Sequence, residues 1–578
     1  MRKLIRFLSR YKLESIVGPL FKLLEASFEL VVPLIMASVI DTGIRNADSG
    51  YIYRMGGLLV LMGVLGLVCS LTAQYFAAKA AMGFGTELRS ALFAHINSLS
   101  HSEIDRLGAS SLITRMTSDV NQAQSGVNLV LRLFLRSPFI VVGAIIMAFM
   151  IDVRLTLIFL AATPLLALAI YYVMAKTIPA YKAIQNKLDH VSLITRENLS
   201  GVRVIRAFSK QEAEQERFQQ AGEGLMNMQL AAGRISALMN PATFVIVNLA
   251  ILALIWFGGF SVDGGRISQG ELVALVNYMT QILTALVALA NLIISFTRAS
   301  ASAIRINEVF AVSPSIHDSV QSMPAPVKGA PKVAFENVGL TYAGSSEEAL
   351  SGISFSAMPG ETIGIIGGTG SGKSTLVNLI PRFYEATSGS VKVDGQPVQN
   401  YPQAGLRGRI GMVPQKAVLF KGSLRDNMRW GKRDATDDEI YEALDIAQAR
   451  EFVELREGGL DAEIEQGGRN LSGGQRQRLT IARALVGKPD ILILDDSASA
   501  LDFATDARLR RAIREKTQDM TVFIVSQRAG SIQHADRIVV LEDGHMAGLG
   551  RHEDLIENCE VYREICLSQL SESEVSAK

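Results

Sequence analysis

Six long apolar stretches fall before about residue 300, at roughly 13–40, 56–82, 128–150, 155–176, 241–262 and 270–296. A membrane-spanning helix needs about 20 mostly apolar residues, because each adds about 1.5 Å against a hydrocarbon core of roughly 30 Å. Every stretch meets that length. Six of them in so short a region are hard to cover without lipid, so a buried core of a soluble domain is the weaker reading. Gly56, Gly57, Gly63 and Gly66 in the second stretch would let helices approach closely. Hydrophobic residues make up 49% of the 578, and charged residues only 20%. A soluble domain carries about 25% charge, so neither a disordered chain nor an ordinary soluble enzyme fits. The net charge of +1 argues against a global nucleic-acid binder. Three cysteines (Cys69, Cys559, Cys566) cannot build a disulfide framework, and no Cys/His cluster has zinc spacing.

The connections alternate in length, and their basic residues alternate with them. Those near 41–54, 151–154 and 263–269 are short and hold four Lys and Arg; the N-terminal residues 1–12 and the long, helix-patterned connections near 83–127 and 177–240 hold sixteen. That asymmetry predicts a multi-pass protein of the plasma (inner) membrane with both termini and the long loops cytoplasmic. No small-residue cleavage site follows a short apolar core, so the N-terminus does not read as a signal peptide. Pro314, Pro324, Pro326 and Pro331 make 311–332 a linker. Beyond it, short β-rich runs such as "ETIGIIG", "ILILDD" and "TVFIVS" alternate with helical runs, which predicts an α/β domain. The expected division is 1–310 membrane domain, 311–332 linker and 333–578 α/β domain.

"GGTGSGKST" comprises Gly367, Gly368, Thr369, Gly370, Ser371, Gly372, Lys373, Ser374 and Thr375. It follows the strand-like "TIGII" and precedes the helix-like "TLVNLIPRF". That is the setting a phosphate-binding loop needs: glycines let backbone N–H groups turn inward around an anion. Lys373 would bridge the outer phosphates, Ser374 would ligate Mg²⁺, and Asp495, ending "ILILDD", would hold the same ion. "LSGGQ" contributes Ser472, Gly473, Gly474 and Gln475 ahead of the helical run "RQRLTIARAL".

With these motifs in order, the sequence resembles the ATP-binding cassette (ABC) transporters. Six helices followed by one cassette is the layout of an exporter-type half-transporter, so the resemblance covers essentially the whole chain. It implies a membrane all-α six-helix domain followed by an α/β P-loop nucleotide-binding domain, with ATP and Mg²⁺ as cofactors. It puts Tyr342 on adenine, Gln415 of "GMVPQ" at the Mg²⁺-sensing loop, and Asp502 of "SALD" at the element that crosses to a partner cassette. It implies that Asp105–Val120 and Glu197–Phe208 are cytoplasmic loops with short helices that dock onto cassettes. Family dimers sandwich ATP between one chain's phosphate loop and the other's LSGGQ, so a second half-transporter is implied.

Two positions depart from the family. Asp496 stands where a catalytic Glu is usual, and its carboxylate falls roughly 1–1.5 Å short, a misplacement of a size that costs on the order of a hundredfold in rate. Gln527 in "FIVSQR" stands where a His usually contacts the γ-phosphate, and an amide cannot take a proton. Glu465 and Gln466 also replace a common Gly-Glu. The expectation is a site that binds ATP but hydrolyses it poorly, in a heterodimer whose other subunit carries Glu and His. A homodimer is the alternative assembly. An importer on the same fold, or a nucleotide-gated regulator without transport, are the alternative functions. Membrane lipid and a small-molecule, lipid or peptide substrate are the remaining expected partners.

Lys22, Glu25 and Glu29 lie on one face of the first stretch, either lining the path or pairing structurally. Arg132 and Arg136 are expected to reach head groups. Asn248, Asn277 and Asn291 are expected to bond between helices.

Overall fold

The computed structural model describes residues 2–318, 322–497 and 500–569. Part of the 311–332 linker, Ala498, Ser499 of "SALD" and the last nine residues lie outside that description. The chain condenses into two units. One comprises Met1–Asn97 with Ser110–Val312, and the other Ser98–Ala109 with Ser313–Lys578.

In the first unit, six helices among the described residues are long and apolar enough to cross a membrane: Lys3–Ile44, Ser49–Ser98, Ala109–Ile151, Val153–Ser200, Gln211–Asp263 and Gln269–Ala311. Each runs far beyond its apolar stretch, because polar residues with helical periodicity continue it. Leu155, Phe159, Leu166, Leu254, Leu275 and Tyr278 form one buried core between them. The Tyr278 hydroxyl, having no water to bond, donates to the Leu30 carbonyl at 2.6 Å. Large apolar side chains such as Leu165, Trp256, Phe257 and Phe260 point outward, as a lipid-facing surface requires. Asp41 accepts from the Gly270 amide at 2.9 Å and pairs with Ser268 Oγ, which ties the first and sixth helices at one end. Gly270 has no alternative there, since a Cβ would lie 2.3 Å from the Ala37 carbonyl.

Two expectations about polar residues are corrected. Arg136 does not reach for head groups; it grips Glu29 of the first helix at 2.6 and 2.9 Å. Burial of a cation is tolerated there because an opposite charge meets it. Asn248 and Asn277 donate within their own helices, to Phe244 O and Val273 O, so the carbonyl one turn back outcompetes a neighbouring helix. Lys22 pairs with Glu25 at 2.6 Å.

The second unit contains two large sheets. Its strands are β1 (Val333–Thr341), β2 (Glu348–Ala357), β3 (Thr362–Gly367), β4 (Ser388–Val393), β5 (Gln396–Pro397), β6 (Ile410–Val413), β7 (Gly422–Ser423), β8 (Glu463–Ile464), β9 (Ile491–Asp495), β10 (Thr521–Val525), β11 (Arg537–Glu542) and β12 (His545–Gly550). One sheet has the order β2-β1-β4-β5 and is antiparallel. The other has the order β12-β11-β3-β10-β9-β6, parallel except at the β12 edge. The runs "TIGII" and "ILILD" are apolar throughout because both faces of a parallel sheet are covered, and Ile363, Ile365 and Ile491–Leu494 are buried accordingly.

Candidate nucleotide site and the helix that adjoins it

Four neighbouring parallel strands end together. β3 leads into Gly367–Thr375, β10 into Gln527, β9 ends at Asp495 and continues into Asp496, and β6 leads to Gln415 two residues on. Ligands of open α/β sheets bind at such carboxyl ends. The loop after β3 turns on Gly367 (φ +158) and Gly372 (φ +93). A Cβ on Gly367 would strike the Leu541 carbonyl at 2.1 Å, and one on Gly372 the Ala349 carbonyl at 2.8 Å. The Lys373 ammonium, 8% exposed, donates to Gly367 O at 2.9 Å and Gly368 O at 2.5 Å.

Ser374 Oγ donates to Asp495 Oδ1 at 2.9 Å, and Gln415 Nε2 meets Asp496 Oδ2 at 3.4 Å. Burial lowers the Lys373 ammonium, against the pull of both aspartates. Burial raises Asp495, reinforced by Asp496 and opposed by Ser374 and Lys373. Burial also raises Asp496, opposed by the Gln415 hydrogen bond and the Lys373 and Arg528 cations. Asp496 adopts a left-handed backbone (φ +47) and donates its amide to Val525 O at 3.0 Å. Short polar residues such as Asp tolerate that conformation best. Gln527 is exposed beyond the end of β10. The loop's glycines, an ammonium, a hydroxyl and two carboxylates form a donor set that suits a nucleotide phosphate with Mg²⁺.

Not every expected residue joins this cluster. Ser472 Oγ accepts from the Gln475 amide at 3.2 Å and caps the helix Gly473–Leu485, while Gln475 Oε1 accepts from the Ser472 amide. Gly473 and Gly474 pack beside Ala500. No hydrogen bond among the described residues joins Ser472–Gln475 to Gly367–Thr375. Asp502 caps the helix Phe503–Lys516 through Thr505 N at 2.9 Å.

A second arrangement adjoins the first. Tyr342 shares a 2.9 Å hydrogen bond with Thr375 Oγ1 and meets Tyr384 edge-on at 5.3 Å. Tyr384 donates to Asp105 Oδ2 at 2.5 Å. Asp105 belongs to the short helix His101–Leu107, whose His101 stacks on Phe383 at 4.5 Å. Glu103 of that helix accepts the amides of Ser100 and Ser315, and Ser100 Oγ accepts the amide of Ile316. The segment preceding the cassette thus holds the helix's first turn. Tyr384 and His101 are not legible as site residues beforehand: their partners lie far away in sequence, and an aromatic in "RFYE" reads equally well as core.

An α-helical membrane unit, a phosphate loop with its metal-side acids, and LSGGQ capping a helix together define the class. The chain belongs to the ABC transporter family, as a half-transporter with the exporter-type fold. The family profiles "ABC transporter transmembrane region" and "ABC transporter" match residues 15–286 and 350–499. A relative from Mycobacterium tuberculosis, the uncharacterised ABC transporter ATP-binding protein Rv1273c, is 39% identical over 95% of both chains. YheI of Bacillus subtilis, named for multidrug resistance, is 31% identical over 98% of this chain and 96% of its own. A solved ATP-bound bacterial Atm1-family ABC exporter shares the fold, with a TM-score of 0.79, 24% identity and 99% of both chains covered. The protein is therefore a multi-pass membrane protein and an ATPase-coupled transporter, with ATP and Mg²⁺ as cofactors.

Proposed function

We propose that this chain is one half of an ATP-driven exporter of the plasma membrane, with its N-terminus and cassette cytoplasmic, paired with a different half-transporter. Residues 1–310 carry the path, 311–332 link, and 333–578 bind ATP. Tyr342 stacks on adenine. The loop Gly367–Thr375 wraps the phosphates, with Lys373 on their charge. Ser374, Asp495 and Gln415 hold Mg²⁺, which neutralises phosphate charge when bound. Ser472–Gln475 and Asp502 complete the partner's site, a role supported for Ser472–Gln475 by the lack, among the described residues, of any hydrogen bond to this chain's own phosphate loop.

The observation that carries the reading is the pairing of an assembled binding cluster with two weak chemical positions. Asp496 is short and held in a left-handed backbone, and Gln527 has no proton to exchange. Burial makes Asp496 a stronger base than a free aspartate, so reach, not basicity, limits it. The partner is supported by apolar surface in each unit. None of the residues of the helix Val202–Ala207 is buried, and Phe208 is 72% exposed. In the cassette, Phe420 and Trp430 stack at 4.4 Å, with Trp430 66% exposed. YheI's name supports a drug-like substrate for this chain also.

ATP turnover of the assembled complex tests the asymmetry. Asp496→Glu with Gln527→His should raise turnover, by about tenfold or more at the restored site if a displacement of about 1 Å is what limits it. Asp496→Asn in this chain alone should leave the partner site turning over. Loss of all turnover in that variant overturns the reading.

A further inference from the structure

Three helices of the membrane unit bring polar groups together at one depth. Glu29 lies fifteen residues from Ile44, Arg136 fifteen from Ile151, and Gln281 twelve from Gln269, each counted from the helix end beside a short turn. At about 1.5 Å per residue that is about 18–23 Å from those ends, well inside a hydrocarbon core of roughly 30 Å. Arg136 binds both oxygens of Glu29, and Gln281 Nε2 donates to the Glu29 carbonyl at 3.3 Å. A π-helical segment, Val130–Phe134, immediately precedes the helix that begins at Arg136. Such segments recur at functional sites. About two turns along the first helix, Lys22 is held by Glu25 and lies 3.4 Å from Ser70 Oγ of the second.

The cations of this seam are covered and engaged: side-chain exposure is 13% for Lys22 and 18% for Arg136. Glu25 is covered as well, at 16%. Glu29 differs, with 45% of its side chain exposed. A carboxylate at that depth is not left facing lipid; it faces a cavity or a partner group. Its two oxygens offer about four acceptor positions, of which Arg136 takes two. Around it, two buried polar atoms have no partner among the described residues: Arg136 Nε and Gln281 Oε1. Buried polar atoms without partners call for water or a ligand.

We propose that Glu29, backed by Arg136 and Gln281, receives the cationic group of a lipophilic substrate midway through the membrane unit. The transporter then distinguishes lipophilic cations from anions of the same shape. Arg136 balances the carboxylate's charge in the absence of substrate and fixes its direction, and the substrate's charge occupies the acceptor positions that remain. This assignment rests on the exporter reading for its consequence, namely which molecules are moved.

Tetraphenylphosphonium and tetraphenylborate have nearly the same size and opposite charge. Their equilibrium binding to the full complex in nanodiscs, without ATP and corrected against protein-free nanodiscs, tests the site. The wild type should bind the phosphonium at least tenfold more tightly than the borate. Glu29→Gln should weaken phosphonium binding at least tenfold, while Glu29→Asp should keep the preference. Because Glu29→Gln leaves Arg136 without a counter-charge, the neutral double variant Glu29→Gln/Arg136→Gln serves as a second arm, and it too should lose the preference. Equal affinities in the wild type, or a preference that survives in either Gln variant, overturn the proposal. A wild-type preference without ATP-driven flux would uphold the site and count against export.

Discussion

Asp495 is 5% exposed, and burial raises its carboxyl above the ordinary aspartate range. A carboxyl raised on folding favours the folded state below its unfolded pKa, and that contribution is lost as pH rises through the folded value. Once ionised, Asp495 therefore strains the nucleotide-free cassette. Asp495→Asn should stabilise it by about 1 kcal/mol, roughly 2–4 °C in melting temperature for a domain of this size. The same variant should lose Mg²⁺-dependent ATP binding. Calorimetry with and without Mg²⁺·ATP checks both, and in the wild type Mg²⁺·ATP affinity should fall on acidification at a higher pH than an ordinary aspartate would give. Single residues differ in how far they were legible. Lys373, Ser374 and Asp495 were readable because their chemistry sits in short motifs with fixed spacing. The Arg136–Glu29 pair was not, because it joins residues 107 apart and a cation near a helix start reads equally well as an interfacial one.

At the scale of elements, the helix His101–Leu107 is held by chemistry from two segments: the adjacent Phe383 and Tyr384, and the Ser315–Ile316 backbone. Tyr384→Phe removes one donor, and a hydrogen bond to a charged acceptor contributes about 1.5–3 kcal/mol. Asp105 is exposed and regains water, so the low end applies. Amide exchange across 98–109 should quicken by about tenfold in that variant, with nucleotide affinity nearly unchanged, as mass spectrometry of the intact complex would read. Strands within "TIGII" and "ILILD" were legible from their apolar runs. β2, "EALSGISFSA", was not: an edge strand rich in Ser and Gly carries little of the apolar signal. The spanning helices were legible as apolar stretches, but their full lengths of 42 to 53 residues depend on polar extensions whose period is visible and whose end is not.

Over the whole molecule, each unit carries apolar surface that its own chain leaves open. Phe208→Asp should prevent stable pairing of the two halves. Aromatic anchors at the centre of an interface contribute about 2 kcal/mol or more, so co-purification of the partner should fall by about thirtyfold or more. Complex ATP turnover should fall with it, while ATP binding to the folded cassette persists. The division of the chain also has a consequence for its synthesis. Ser98–Ala109 belongs to the unit otherwise built from Ser313 onward. A ribosome makes that short segment early and the rest of its unit some two hundred residues later, after four more helices must find the membrane. The early segment waits without its neighbours, and the cassette meets it as a piece of chain made before it. A cassette produced alone from Ser313 would lack that piece from the start, with Phe383 and Tyr384 uncovered.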